Sequence, residues 1–113
     1  MSRDPTVLLR HIRLCLDRIA DYAKGGQAEF MADPKTQDAI IRNLEVIGEA
    51  ARRFDEAFRL AHPEIPWREM TDVRNILIHA YDRVAAEILV DIVRRDIPPL
   101  LASVNSLLGQ DSF

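Results

Sequence analysis

Hydrophobic positions recur at spacings of three and four along nearly the whole chain, which is the period of an α-helix with one buried face. The first such stripe follows Asp4-Pro5, an N-cap residue and a first-turn proline, and it ends before Gly25-Gly26. Its apolar members are Leu8, Ile12, Cys15, Ile19 and Tyr22. The pattern predicts a first helix between these signals, followed over residues 27–33 by a connector with room for one helical turn.

A second helix is predicted to start at Asp33-Pro34, again a cap followed by a proline. Its apolar stripe contains Ile40, Ile41, Leu44, Ile47, Ala51, Phe54 and Phe58. Gly48 lies inside this stripe, where a glycine costs roughly 1 kcal/mol relative to alanine. Either that cost is simply tolerated or another helix approaches closely at Gly48, and the sequence leaves both possibilities open.

Prolines then divide the rest of the chain. Pro63 and Pro66 interrupt the pattern, because neither can continue a helix interior. Pro66 can open the next helix, whose predicted inner face consists of Trp67, Met70, Val73 and Leu77. Asp82-Arg83 is typical of a turn, and a last helix is predicted from about residue 84.

Pro98-Pro99 must kink or divide this last helix, because Pro98 lacks an N–H group and crowds the carbonyl of Arg94. No strand pattern, internal repeat or domain linker is apparent. We therefore expect a single all-α domain over residues 1–113, an up-and-down bundle of four to five helices.

Composition limits the function further. The 113 residues carry a formal net charge of −3, so any contact with RNA must use a local positive patch. Cys15 is the single cysteine, which excludes an internal disulfide and a cysteine-based metal site, and we expect it to be a buried hydrophobic residue. No apolar run approaches a membrane span, and the N-terminus lacks a signal-peptide core, so we expect a cytoplasmic protein.

The residues that suggest chemistry are Arg74, His79 and Tyr81, in the stretch Arg-Asn-Ile-Leu-Ile-His-Ala-Tyr. On a continuous helix, positions seven apart are almost in phase, so Arg74 and Tyr81 share a face. His79 is five residues after Arg74, roughly 140° around the axis. The helix ends or bends near His79, which the turn signal at Asp82-Arg83 favours, or a second copy of the chain completes the site, and neither explanation excludes the other.

These residue types suit the cleavage of a phosphodiester. Histidine can act as base or acid near neutral pH, and arginine offers a fixed positive fork for the non-bridging oxygens. Such a scheme requires no metal. On the residues alone, however, a structural role is the more frequent use of such a pattern. Arg74 would then form an ion pair, with candidates on its own helix and on the second helix. These candidates are Glu69, Asp72, Glu45, Glu49 and Glu56.

The string Arg-x-x-x-x-His-x-Tyr resembles the signature of HepT-type toxins, a branch of the HEPN superfamily. Residues 38–50 (DAIIRNLEVIGEA), 62–67 (HPEIPW) and 92–98 (IVRRDIP) also resemble segments of that family. Together these segments extend the resemblance over most of the chain, from about residue 22 to 108. The resemblance implies a helical bundle that pairs as a homodimer, with both motifs facing a shared cleft.

The resemblance also implies roles for single residues. Arg74 and His79 would be the catalytic residues of a metal-independent endoribonuclease, and Asn75 would support them. Tyr81 would accept AMP from a partner, a minimal nucleotidyltransferase of the MntA type that uses ATP and magnesium. This partner would be the antitoxin of a type VII toxin–antitoxin pair. No cofactor and no metal are implied for the chain itself.

An alternative function belongs to a different class. The chain could be a non-catalytic subunit that serves the nucleotidyltransferase as substrate or docking module. Among the remaining polar residues, we expect His11 to be a structural surface or boundary residue of the first helix and His62 to have a loop role. Arg52-Arg53 is expected to form either a solvated face or an extension of an RNA-binding surface.

Overall fold

The computed structural model of the chain describes residues 4–80 and 86–110, and the side chains of all of these except 76–80, 86 and 110. A π-helical turn, Ile92–Asp96, connects the α-helices before and after it, so that they form one continuous helix. The described residues contain no strand, which confirms the all-α class. The helices are α1 (Pro5–Tyr22), α2 (Gln27–Ala32), α3 (Pro34–Ala51), α4 (Glu56–Ala61), α5 (Trp67–Ala80), α6 (Ala86–Asp91) and α7 (Ile97–Gln110).

The first two predicted helix starts are confirmed, with aspartate side chains as caps. The Asp4 carboxylate accepts from the backbone N–H of Thr6 at 2.8 Å, and that of Asp33 accepts from Lys35 N–H at 3.1 Å. The hydroxyl of Thr36 donates to Asp33 as well, at 2.8 Å. This hydroxyl bond and the backbone bonds favour the ionised form, so the pKa of Asp33 lies below its usual value.

The predicted end of α3 was wrong. The apolar spacing suggested a helix reaching Phe58, whereas α3 ends at Ala51 and a turn follows. Asp55 then caps the separate helix α4 by accepting from the backbone N–H of Phe58 at 2.8 Å. The aromatic spacing persists because Phe54 packs against Phe58, at 5.1 Å between ring centroids, and against Trp67, at 4.7 Å. The rings therefore belong to a small aromatic cluster and not to one helical face.

The core is formed where α3 packs between α1 and α5, with α7 on the other side of α1. Ile12, Leu16 and Ile19 of α1 and Ile40 of α3 are almost completely inaccessible to solvent. Cys15 is buried among them, as predicted, and burial raises the pKa of its thiol. None of the helices in the described parts of the chain is long and apolar enough to cross a membrane.

Helix α5 starts as the prolines predicted. The carbonyl of Pro66 accepts from the backbone N–H of Met70 at 3.0 Å, so Pro66 closes the first turn. The indole N–H of Trp67 donates to the carbonyl of His62 at 3.0 Å, which ties the turn before α5 to the helix. Met70 is buried and Val73 partly buried, which confirms the predicted inner face as far as it is described.

The prolines near the C-terminus neither end nor divide this last continuous helix. The wider π turn lies directly before them, and the N–H of Ile97 donates to the carbonyl of Ile92, five residues back. Pro98 and Pro99 then occupy the first turn of α7, where a missing N–H costs little. The predicted interruption of the helix is thus limited to one wide π turn, and the helix continues through both prolines. The turn predicted at Asp82-Arg83 lies outside the described residues.

Candidate active site

Arg74 lies where α5 crosses α3, directly over Gly48. A Cβ atom added to Gly48 would collide with the Cβ of Arg74 and would lie 2.9 Å from the carbonyl oxygen of Met70. Met70 and Arg74 are one turn apart on α5, so this whole turn rests on the bare backbone of Gly48. Of the two possibilities that the sequence left open for Gly48, the close approach of another helix is confirmed.

The Arg74 guanidinium is held by two oxygen acceptors. Its Nε lies 3.1 Å from Oε2 of Glu49 on α3, and its Nη1 donates to Oδ1 of Asn75 at 3.2 Å. The Arg74 side chain is 21% exposed. Its Nη2 makes no hydrogen bond to any side chain that the structure describes. The guanidinium is therefore fixed on one side, and none of the described side chains occupies its Nη2, an N–H group of the kind that binds oxyanions.

Glu49 is the acidic partner that the sequence could not select among five candidates. Its carboxylate also lies 3.7 Å from Nη1 of Arg52 and 4.0 Å from Nη2 of Arg53. Of the rejected candidates, Asp72 instead faces Arg68, with 3.9 Å between their charged atoms. Glu49 thus brings two arginines from the turn after α3 and one from α5 around a single carboxylate.

Of the other two motif residues, the structure describes only the backbone of His79. His79 belongs to α5, which continues to Ala80, so no break in the helix separates it from Arg74. In a regular α-helix the two positions diverge by roughly 140° around the axis. The side chain of His79 and the whole of Tyr81 lie outside the described residues. Hence the described part of one chain brings Arg74, Asn75 and Glu49 together.

Beside Arg74 lies a cavity of about 370 Å³, which we call the arginine groove. It runs between α1, α3 and α5, and its walls carry mostly charged side chains. They belong to His11, Arg42, Glu45, Val46, Glu49, Ala50, Arg53 and Arg74.

Sequence reasoning missed the wall formed by His11 and Arg42. His11 was interpreted as a surface or boundary residue of α1 and is indeed exposed, but the sequence did not indicate that it lines the arginine groove. A signal for Arg42 existed in the polar spacing of α3, since Arg42, Glu45 and Glu49 lie three and four residues apart and so share one face. Which helix that face meets could not be read from the spacing.

The described residues hold no cluster of three or more His, Cys, Asp or Glu side chains that could bind a metal ion. In the arginine groove the acidic groups are Glu45 and Glu49, and Glu49 is engaged by arginines. What the arrangement offers is a fork of guanidinium N–H groups beside an open cavity. Such a fork binds phosphate and carboxylate oxygens.

The crossing at Gly48 gives a prediction about stability. Gly48→Ala should lower the free energy of unfolding by about 1–3 kcal/mol, because the added methyl group overpacks the contact with α5. The obstructing atoms are the Cβ of Arg74 and the backbone oxygen of Met70, and neither can rotate away as the end of a flexible side chain could. Urea denaturation followed by circular dichroism measures the change.

Gly109 provides the matched control. It also lies in a helix, α7, but a Cβ added there would meet no heavy atom of the described residues within 4 Å. Gly109→Ala should therefore be neutral or slightly stabilising, through the higher helix propensity of alanine. Equal stabilities of the two variants would show that α5 does not depend on a bare backbone at Gly48.

Most of the chain is similar to a family of known proteins. Residues 12–107 match the sequence profile of a family described as "Ribonuclease HepT-like". No solved structure was found that is significantly similar to the chain.

Individual relatives align over almost their whole lengths. The chain is 48% identical over 108 residues to "Probable ribonuclease HepT" of Thermococcus cleftensis, covering 95% of the chain and 98% of the relative. It is 42% identical over 105 residues to "Putative RNase MJ1380" of Methanocaldococcus jannaschii, covering 92% and 96%. It is 33% identical over 110 residues to "Putative RNase TTE0752" of Caldanaerobacter subterraneus, covering 96% and 98%.

Proposed function

The chain belongs to the family of HepT-like ribonucleases, and from this premise we propose that it is a toxin endoribonuclease that cuts RNA without a metal ion. The catalytic residues in this proposal are Arg74 and His79. The observation that carries it is the Arg74 guanidinium, which Glu49 and Asn75 orient beside the arginine groove while its Nη2 has no partner among the described side chains.

The proposed reaction is transesterification. The 2′-oxygen of a ribose attacks the adjacent phosphorus and the bond from phosphorus to the 5′-oxygen breaks, which leaves a 2′,3′-cyclic phosphate and a 5′-hydroxyl. His79 transfers a proton, either from the 2′-hydroxyl or to the departing 5′-oxygen. Arg74 neutralises the negative charge that grows on the non-bridging oxygens. Asn75 keeps the guanidinium plane in place.

One site must bring Arg74 and His79 to the same phosphate although their positions diverge on α5. Helix α5 continues to Ala80, one residue after His79, so an end or bend of the helix there and a second chain that completes the site both stay open. We propose the second, a homodimer. In this proposal Arg74 of one protomer and His79 of its partner act on one phosphodiester. A dimer would also cover apolar side chains such as Val7 and Leu14, which are about half exposed on α1.

Regulation in this proposal runs through Tyr81. An antitoxin that is a minimal nucleotidyltransferase uses ATP and magnesium to attach AMP to the tyrosine hydroxyl, as in a type VII toxin–antitoxin pair. The attached phosphate would bring negative charge close to the RNA-cutting site and repel the substrate. Both proteins would act in the cytoplasm, where the RNA substrates are.

The experiment that tests the proposed function uses purified protein and labelled RNA in the presence of a metal chelator. We expect cleavage, with cyclic-phosphate ends on the upstream fragments. Intact RNA, combined with a stable complex between the chain and the nucleotidyltransferase, would contradict the proposal and favour the alternative of a non-catalytic docking subunit. Cleavage that stops in chelator and returns with magnesium would contradict the metal-independent mechanism.

A further inference from the structure

The arginine groove concentrates positive charge in a chain whose formal net charge is −3. Three guanidiniums line it, from Arg42, Arg53 and Arg74, against the two carboxylates of Glu45 and Glu49. The lining therefore carries a net charge of at least +1. A cavity lined by positive charge attracts anionic ligands even when the whole protein is acidic.

Glu49 does not cancel this charge. Its single carboxylate is shared by Arg52 at 3.7 Å, Arg53 at 4.0 Å and Arg74 at 3.1 Å. These three guanidiniums and the one carboxylate carry a formal charge of +2 together. The side chains of Arg53 and Arg74 are only 28% and 21% exposed, so their positions are constrained by packing. Constrained cations need little reorganisation to bind an anion.

Arg42 extends the positive lining along α3. Its side chain is exposed, and it makes no hydrogen bond or ion pair with the side chains that the structure describes. Seven residues separate Arg42 from Glu49, which corresponds to roughly 10 Å along a helix. Arg42 thus lies at one end of this stretch of α3, and Arg53 and Arg74 lie beside Glu49 at the other end. Such a spacing suits a chain of phosphates better than a single small anion.

We infer that the arginine groove binds the phosphates of single-stranded RNA that neighbour the cleaved phosphodiester. Arg42 and Arg53 contact these neighbouring phosphates, while Arg74 contacts the one that is cut. His11 closes the groove from α1 and touches the same strand. The inference rests on the proposed function, since it assigns the groove to the substrate of that reaction.

The test measures RNA binding in the His79→Ala protein, so that cleavage does not remove the ligand. A labelled single-stranded RNA is titrated at several salt concentrations. Arg42→Gln should raise Kd about threefold or more at moderate salt and reduce the salt slope by about 0.7, the loss of one phosphate contact. Arg53→Gln should act in the same direction. Glu45→Gln should lower Kd, because it removes a negative charge from the lining.

Arg68→Gln is the matched control. Arg68 lies on α5 with its side chain 89% exposed, outside the groove, and its removal changes the net charge by the same amount. We expect it to leave Kd and the salt slope unchanged. If the Arg42 and Arg68 variants bind alike, or if Glu45→Gln weakens binding, the groove is a structural ion-pair cluster and the inference is wrong.

This result can be separated from a failure of the proposed function. If the wild-type protein cuts no RNA while the groove variants still change binding selectively, the proposed function fails and the groove stands as an RNA-binding surface. If the wild type cuts RNA and Arg42→Gln alters neither Kd nor salt slope, the groove assignment fails alone.

Discussion

Replacing His79 by alanine should lower the rate of RNA cleavage by about 10²- to 10⁴-fold, which is the usual contribution of a positioned proton-transfer group. The reason is that the attacking 2′-hydroxyl or the leaving 5′-oxygen then exchanges its proton with water alone. Single-turnover cleavage of labelled RNA, with enzyme in excess, measures the chemical step. The variant should also relieve growth arrest when it is expressed in cells.

Arg74→Ala should reduce the same rate by about 10²- to 10³-fold, because the charge that develops on the phosphate loses its counter-ion. Alanine keeps the Cβ that packs over Gly48, so the helix crossing should survive and the melting temperature should change little. Arg74→Lys keeps the charge without the planar fork and should lie between wild type and Arg74→Ala. If the His79 and Arg74 variants fold normally and still cut RNA at the wild-type rate, the catalytic assignment is wrong.

Attachment of AMP to Tyr81 should abolish cleavage as completely as His79→Ala does. On a helix that continued through Tyr81, the tyrosine would be almost in phase with Arg74, so a phosphate attached to it would compete with RNA for the same guanidinium. Co-expression with a minimal nucleotidyltransferase, followed by mass spectrometry and a cleavage assay on the same sample, measures modification and activity together.

Tyr81→Phe is the matched control, since it retains the ring and removes the acceptor oxygen. This variant should keep its cleavage activity and stay unmodified in the presence of the nucleotidyltransferase. A protein that is modified at another residue, or a Tyr81-modified protein that still cuts RNA at the full rate, would contradict the regulatory role of Tyr81.

The parts of the fold that depend on local chemistry were predictable. The starts of α1 and α3 follow from Asp4-Pro5 and Asp33-Pro34, because a cap and a first-turn proline act within a few residues of each other. The end of α3 was not predictable in this way. Phe54 keeps its helical spacing for a reason that is not local, since its ring packs against Trp67 in a later helix.

The same distinction between local and non-local information applies to the candidate site. The motif residues could be chosen from the sequence, because family resemblance adds information that their spacing lacks. The selection of Glu49 as the partner of Arg74, and the position of His11 and Arg42 beside it, required the crossing of α1, α3 and α5. Gly48 was the one local hint of that crossing, and only the structure identified the turn of α5 that approaches it.

In the proposed mechanism Arg74 and His79 act on one phosphate, although their positions in a regular helix diverge by roughly 140°. Mixing the purified Arg74→Ala and His79→Ala proteins under conditions that allow subunit exchange tests this most directly. Each protein alone lacks one catalytic group at every site. A mixed dimer holds one site with both groups, so we expect the mixture to regain a measurable fraction of wild-type cleavage. A mixture that forms mixed dimers and remains as inactive as its components would contradict the shared site.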